Sequence, residues 1–173
     1  MTDGLPRLRV GQGFDIHRFS GVPDRPLVLG GVAIPGVAGL AGHSDADVVA
    51  HALADALLGA VGLGDLGRLF PDTDPAWAGA DSLVLLAEVA TRVEAEGMTV
   101  VNGDCTVVCE RPRLADHTEE MGRRLGQVID APVNVKATRA EGLGSLGRVE
   151  GIACLAVALL AGTGPPVTDR SDR

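Results

Sequence analysis

Apolar positions along the chain keep one of two periods, and each segment is read from the period it keeps. Residues 8–16 (LRVGQGFDI) read as a strand interrupted by glycine, and residues 26–35 (PLVLGGVAIP) as another short strand or a hairpin arm with a Gly-Gly turn. Ser44 is predicted to cap the helix that follows, with acidic Asp45 and Asp47 in its positive first turn. VVAHALADALLGAV is Ala/Leu-rich and helical to about Val61, where Gly62 and Gly64 stop it. GLGDLGRLFPDTDP is a loop by its Gly, Asp and Pro content, with Asp72 and Asp74 read as Asx-turn residues or as extra metal ligands. Leu83, Leu86, Val89, Ala90 and Val93 recur at helical spacing over 82–96, and Gly97 sits at C′. Residues 98–109 (MTVVNGDCTVVC) are β-branched and strand-like, with Asn102-Gly103 as a candidate tight turn.

A third helix is predicted from about Asp116 to Ile129, carrying Met121, Leu125 and Val128, with Arg123-Arg124 on a solvated face. PVNVKAT (132–138) reads as a strand and EGLGSLGR as a glycine-rich loop. GIACLAVALL is a final buried element whose type the periodicity does not decide. The pattern predicts one domain over 1–162, of α+β or α/β class, and a frayed tail over 163–173.

Charge and composition narrow the function. A net charge of −8 argues against nucleic acid, whose phosphates need a Lys/Arg surface, and 2% aromatic residues remove the stacking platforms of single-strand binders. An acidic chain that binds phosphates must supply positive charge locally, and metal ions are one way to do so. MTDGLPRLRV carries no apolar run, and Gly151 to Gly162 is too short to span a bilayer, so a cytoplasmic protein without membrane contact is expected. Cys105, Cys109 and Cys154 form no CxxC pair and read as three reduced core thiols.

The candidate chemistry clusters early. Asp15 and His17, two apart on a predicted strand, leave the same face, and His51 lies on the first helix with Asp47 and Asp55 one turn either side. If that helix packs over the strand, one carboxylate and two imidazoles converge as a three-ligand zinc set with the fourth position open, and Asp55 orients His51. Spacing alone leaves the alternative that His51 is a satisfied, half-buried histidine. His43, beside Ser44 and the free N–H groups of the helix start, reads as a donor to a phosphate. Lys136, on a strand, is placed between a phosphate contact and a solvated role. Gly11-x-Gly13 carries no dinucleotide signal, because no helix follows it.

The strings GFDIHRF, GGVAIP, GHSDADVVAHALADALLGAVGLGDLGRLFPDTDP and VKATRAEGLGSLGRVEGIAC resemble, in order and from about Gly11 to Leu160, the 2-C-methyl-D-erythritol 2,4-cyclodiphosphate synthase family. The resemblance implies a lyase of the non-mevalonate isoprenoid pathway that turns a CDP-methylerythritol 2-phosphate into a cyclic diphosphate and CMP. It implies an α+β fold, a mixed sheet with helices on one face, and a homotrimer with the sheets around the axis and a site at each subunit junction. Asp15, His17 and His51 would be the zinc ligands, and Glu141 would hold a second divalent ion, magnesium or manganese. His43 and Ser44 would hold the methylerythritol phosphate, while Asp65 and Gly67 meet the ribose. Pro112, Arg113, Leu114, Ala137 and Thr138 would frame the cytosine, and Arg148 would reach phosphate.

The chain departs from the family pattern at Arg139-Ala140, where threonines are usual before the glutamate. Arg139 either takes over a phosphate bond with more charge and a forked geometry or points away and leaves a weaker site. Arg113 stands where lysine is common, and Ser145 replaces an aromatic. Two rival readings use the same residues. One is a zinc-dependent phosphohydrolase; the other is an isoprenoid-binding trimer, with an isoprenoid diphosphate in the axial cavity and a structural zinc.

Overall fold

A computed structural model describes residues 7–162, so the tail expected over 163–173 lies outside the described residues. Strands β1 (Arg7–Arg18), β6 (Gly151–Gly162), β4 (Met98–Val108) and β5 (Val133–Thr138) form one sheet in the order β1-β6-β4-β5. β6 runs antiparallel to both neighbours and β4 pairs parallel with β5, which makes the sheet mixed. Helix α1 (Val48–Val61) lies on β1, β6 and β4, and α4 (Thr118–Ile129) lies on β5. Between them α3 (Ser82–Ala95) touches α1, α4 and β4. Two four-residue helices, α2 (Leu66–Leu69) and α5 (Gly144–Gly147), sit in the loops before α3 and before β6. The class is α+β in a single domain.

The final apolar run is a strand because it fills the gap between β1 and β4, where its backbone groups pair on both sides. The stretch 26–35 is a hairpin: β2 (Pro26–Leu29) turns at Gly30 and Gly31, both at positive φ, into β3 (Val32–Ala38). Two consecutive positive φ values are what a tight hairpin turn demands and glycine tolerates. Asn102-Gly103 makes no turn. β4 continues through it with a bulge between Val100 and Asn102, because the segment is held by β6 on one side and β5 on the other.

The N-cap of α1 is Asp47 rather than Ser44. Its fully buried carboxylate accepts from Val49 and Ala50 N–H, and also from Gly30 and Gly31 N–H at 2.8 and 2.7 Å. Four backbone donors outcompete one hydroxyl, so Ser44 and Asp45 stay outside the helix. The same carboxylate pins the hairpin turn to the start of α1. Burial, opposed by the Gly31, Gly30 and Ala50 N–H groups, raises its pKa above the ordinary value.

α1 sits unusually close to β1. A Cβ added at Gly13 would lie 1.9 Å from the Ala52 carbonyl oxygen, and one at Gly11 would lie 1.8 Å from that of Ala56. Gly11 and Gly13 do not interrupt β1, which pairs with β6 without a break; they let a helix backbone lie directly on the strand. On β1 and β6 the opposite face of the sheet is apolar, and nothing among the described residues covers it: Leu8, Val10, Phe14, Ile16, Leu155 and Val157 are each between 43% and 67% exposed.

Candidate functional site

The close approach of α1 to β1 builds a cluster. Asp15 and His17 leave the helix-facing side of β1, and His51 projects from the first turn of α1 onto them. Asp15 Oδ2 lies 3.1 Å from His17 Nε2 and 2.9 Å from His51 Nδ1. The imidazole centroids are 5.7 Å apart. One ligand atom from each of the three residues falls within 4.8 Å of the others.

The outward nitrogens are occupied. His17 Nδ1 stands 2.7 Å from the Ala41 carbonyl oxygen, to which it can only donate, so its Nε2 lone pair turns inward. His51 Nε2 stands 2.8 Å from Ser82 Oγ and 3.3 Å from Ser44 Oγ. Two imidazoles and a carboxylate with inward donor atoms fit a three-ligand zinc site. Burial works to raise the Asp15 carboxyl, but the hydrogen bonds of His17 and His51 together outweigh it and hold it well below the usual carboxylate range. The Asp15 hydrogen bond, against burial, raises the pKa of His17.

Asp55 does not orient His51. Its carboxylate accepts from Leu66 N–H at 2.7 Å, where the chain folds back after Gly62 and brings the α2 start against α1. Burial raises its pKa against that bond. His43 is exposed, its Nε2 3.2 Å from the Asp74 carbonyl oxygen. Ser44 is buried, and its Oγ accepts from Ala46 N–H. Asp74 caps a 3-10 turn at Pro75–Trp77, the Asx role expected of it, and Asp65 caps α2 by accepting from Arg68 N–H, with Gly67 inside that helix.

A second site opens at the other edge of the sheet. A cavity of about 850 Å³ lies between the 109–115 loop and β5, and Pro112, Arg113, Leu114, Ala137, Thr138 and Arg139 all line it. The Arg111–Pro112 peptide is cis. Burial pushes the Cys109 thiol in its wall up to about 11, so the thiol stays protonated and serves as an apolar surface. Arg139 ion-pairs with Glu110, its Nε 3.0 Å from Oε1, a contact that nothing local in the sequence announces. Glu141 is exposed at φ 51° in the loop beyond β5. Arg148 pairs with Glu150 at 2.6 Å, and Lys136 pairs with Asp104.

Asp15 and Ala137 stand on one row of the sheet, through Cys154 of β6 and Val107 of β4. Three strand spacings, about 14 Å, separate the two backbones.

The model of the YgbB family matches residues 8–161. A protein of Synechococcus sp. (strain CC9311) named 2-C-methyl-D-erythritol 2,4-cyclodiphosphate synthase is 55% identical over 166 residues, 92% of this chain and 98% of that one. The solved bifunctional IspDF from Campylobacter jejuni superposes with a TM-score of 0.86 at 41% identity, over 92% of this chain and 43% of the longer one. The CDP complex of IspF from Plasmodium falciparum gives 0.78 at 28% identity, over 93% of this chain and 100% of that one.

Proposed function

The chain belongs to the YgbB family, and on that premise we propose that it converts 4-diphosphocytidyl-2-C-methyl-D-erythritol 2-phosphate to 2-C-methyl-D-erythritol 2,4-cyclodiphosphate and CMP. An oxygen of the substrate's own 2-phosphate bonds to the β-phosphorus, the bond from that phosphorus to the α-β bridging oxygen breaks, and CMP carries that oxygen away. Such a transfer needs in-line positioning and charge neutralisation rather than a protein nucleophile. Zinc at Asp15, His17 and His51 would orient the attacking phosphate, and magnesium or manganese held through Glu141 would neutralise the diphosphate.

The chain's own residues do the placing. His43 and Ser44, beside the cluster, hold the methylerythritol phosphate, and Asp65 with Gly67 meets the ribose. The cavity lined by Pro112, Arg113, Leu114, Ala137 and Thr138 takes the cytosine, and Arg139 and Arg148 supply positive charge along the phosphates. The observation that carries the reading is the convergence of Asp15, His17 and His51 with their ligand atoms turned inward.

The uncovered apolar face supports a homotrimer with its sheets around an axis, since a monomer rarely leaves so large a patch in water. In such a ring the β1 edge of one chain meets the β5 edge of the next, so each complete site draws on two chains. The axial cavity then has an apolar lining suited to an isoprenoid diphosphate. No helix among the described residues is long and apolar enough to cross a membrane. The three unpaired, buried thiols suit a reducing cytoplasm.

A coupled assay for CMP release tests the reading, with cyclic diphosphate and CMP expected in equal amounts. CMP with an uncyclised phosphate product would point to a phosphohydrolase. Binding of an isoprenoid diphosphate without CMP release would point to the non-enzymatic trimer.

A further inference from the structure

Ser82 has no part in the chemistry above, yet it stands directly behind the cluster. It is the first residue of α3, 1% exposed, and its Oγ bridges two groups. His51 Nε2 is 2.8 Å away on one side, and on the other Ser82 Oγ–H donates to Asp45 Oδ1. Asp45 is held in place independently: its Oδ2 accepts from Ser82 N–H at 3.1 Å, and its own N–H donates to the Ala80 carbonyl oxygen.

The direction of these bonds follows from the atoms. An ionised carboxylate only accepts, so the single hydroxyl hydrogen of Ser82 is committed to Asp45. What Ser82 Oγ then offers to His51 is a lone pair, and Nε2 must carry the hydrogen between them. Ser44 Oγ, at 3.3 Å, is the longer contact and leaves this assignment standing. With a hydrogen on Nε2, Nδ1 is the nitrogen left for a metal, whose binding replaces the Asp15–His51 hydrogen bond of the metal-free protein. On the other ring the Ala41 carbonyl plays the same part toward His17.

We propose that Asp45 and Ser82 are positioning residues that hold His51 as its Nε2–H form, with Nδ1 presented to the metal, and thereby set the metal affinity of the site. The proposal rests on the reading that Asp15, His17 and His51 bind zinc. It explains why the N-terminus of α3 is anchored at this point of the fold: Ser82 can reach His51 only if Asp45 holds the helix start beside it.

The test uses zinc itself. Competition with a chromophoric chelator gives zinc affinity for the unaltered protein, Ser82→Ala and Ser82→Thr. Ser82→Ala is expected to bind zinc about 10–100-fold more weakly, the usual effect of removing a partner of a ligating histidine. Ser82→Thr keeps the hydroxyl and should recover most of that loss. In the zinc-loaded unaltered protein, long-range nitrogen–proton correlation spectra should show His51 protonated at Nε2 and not at Nδ1. The opposite result, zinc on Nε2 and the hydrogen on Nδ1, would overturn the assignment even if Ser82→Ala does not fold. Unchanged zinc affinity in Ser82→Ala, or an unprotonated Nε2, overturns the relay while leaving the metal reading intact. An unaltered protein that takes up no zinc ends the metal reading, and the relay with it.

Discussion

At Asp15 one carboxylate oxygen faces two imidazole nitrogens, and the protonation of the cluster follows from that contact. The folded pKa of Asp15 lies below its ordinary 3.8, so its stabilising contribution is present above that pH and is lost as pH falls. The folded pKa of His17 lies above its ordinary 6.5, so its contribution is complete below 6.5 and is lost as pH rises through the folded value. In the metal-free protein the pair therefore stabilises the fold most between those two pH values. Zinc requires neutral His17, so protons compete with the metal over a wider range than for a free histidine. Zinc affinity should climb by about tenfold per pH unit while one proton is displaced. Chelator competition at several pH values measures this, and a flat profile would contradict it.

Arg139 offers a second test at this scale. Its partner Glu110 draws it to the rim of the cytosine cavity, and its side chain remains 61% exposed. So exposed an ion pair contributes little to stability. Arg139→Thr restores the hydroxyl usual at this position and should keep kcat/KM within about fivefold. Arg139→Glu sets a second carboxylate against Glu110 and the substrate's phosphates, and should be far more damaging. Equal kcat/KM for both variants and the parent would leave Arg139 without a role in the reaction.

Among the elements, the contact of α1 with β1 decides whether a cluster exists at all. Gly13→Ala puts a methyl group against the carbonyl of Ala52, the residue after His51, and α1 must lift to accommodate it. Overpacking of this kind costs about 1–3 kcal/mol. Because the displaced helix carries His51, zinc affinity should fall together with the urea midpoint. Gly59→Ala is the control: a Cβ there meets nothing nearer than 3.8 Å, so helix propensity should make it neutral or stabilising by about 0.5–1 kcal/mol. A Gly13→Ala protein with parental stability and zinc content would remove the close-packing argument.

For the whole molecule, the position of the two half-sites matters most. The metal cluster lies on β1 and the base cavity beside β5, at opposite edges of one sheet. A closed ring of three chains with heterologous contacts would bring the two edges together. His51→Ala and Glu141→Ala trimers should then each be inactive, while trimers refolded from an equal mixture regain about a quarter of parental CMP release, because each half of a junction has an even chance of being sound. Mixed trimers verified by mass but without recovered activity would place both residues in one chain's site.

Much of this was legible from local chemistry. Asp15 and His17 share a face because strand side chains alternate, and a helix crossing β1 brings His51 within reach. Gly30-Gly31 signalled a turn for a reason contained in its own backbone, whereas Gly11 and Gly13 lie in an unbroken strand and are explained only by the helix that rests on them. Other features depended on partners far along the chain. Asp47 displaced Ser44 as the cap because Gly30 and Gly31 N–H groups arrive from another element. Asn102-Gly103 stayed in a strand because two neighbouring strands claimed its backbone, and 151–162 became a strand because a gap between two others awaited it. Ser82 behind His51 and Glu110 against Arg139 are contacts over 31 and 29 residues. Periodicity records which side of an element is buried, not which distant group lies against it. Sequence therefore determined the candidate ligands and the elements that carry them. Only the tertiary structure decided which hydrogen bonds hold those ligands in place, because the donors and acceptors come from segments that the chain brings together by folding.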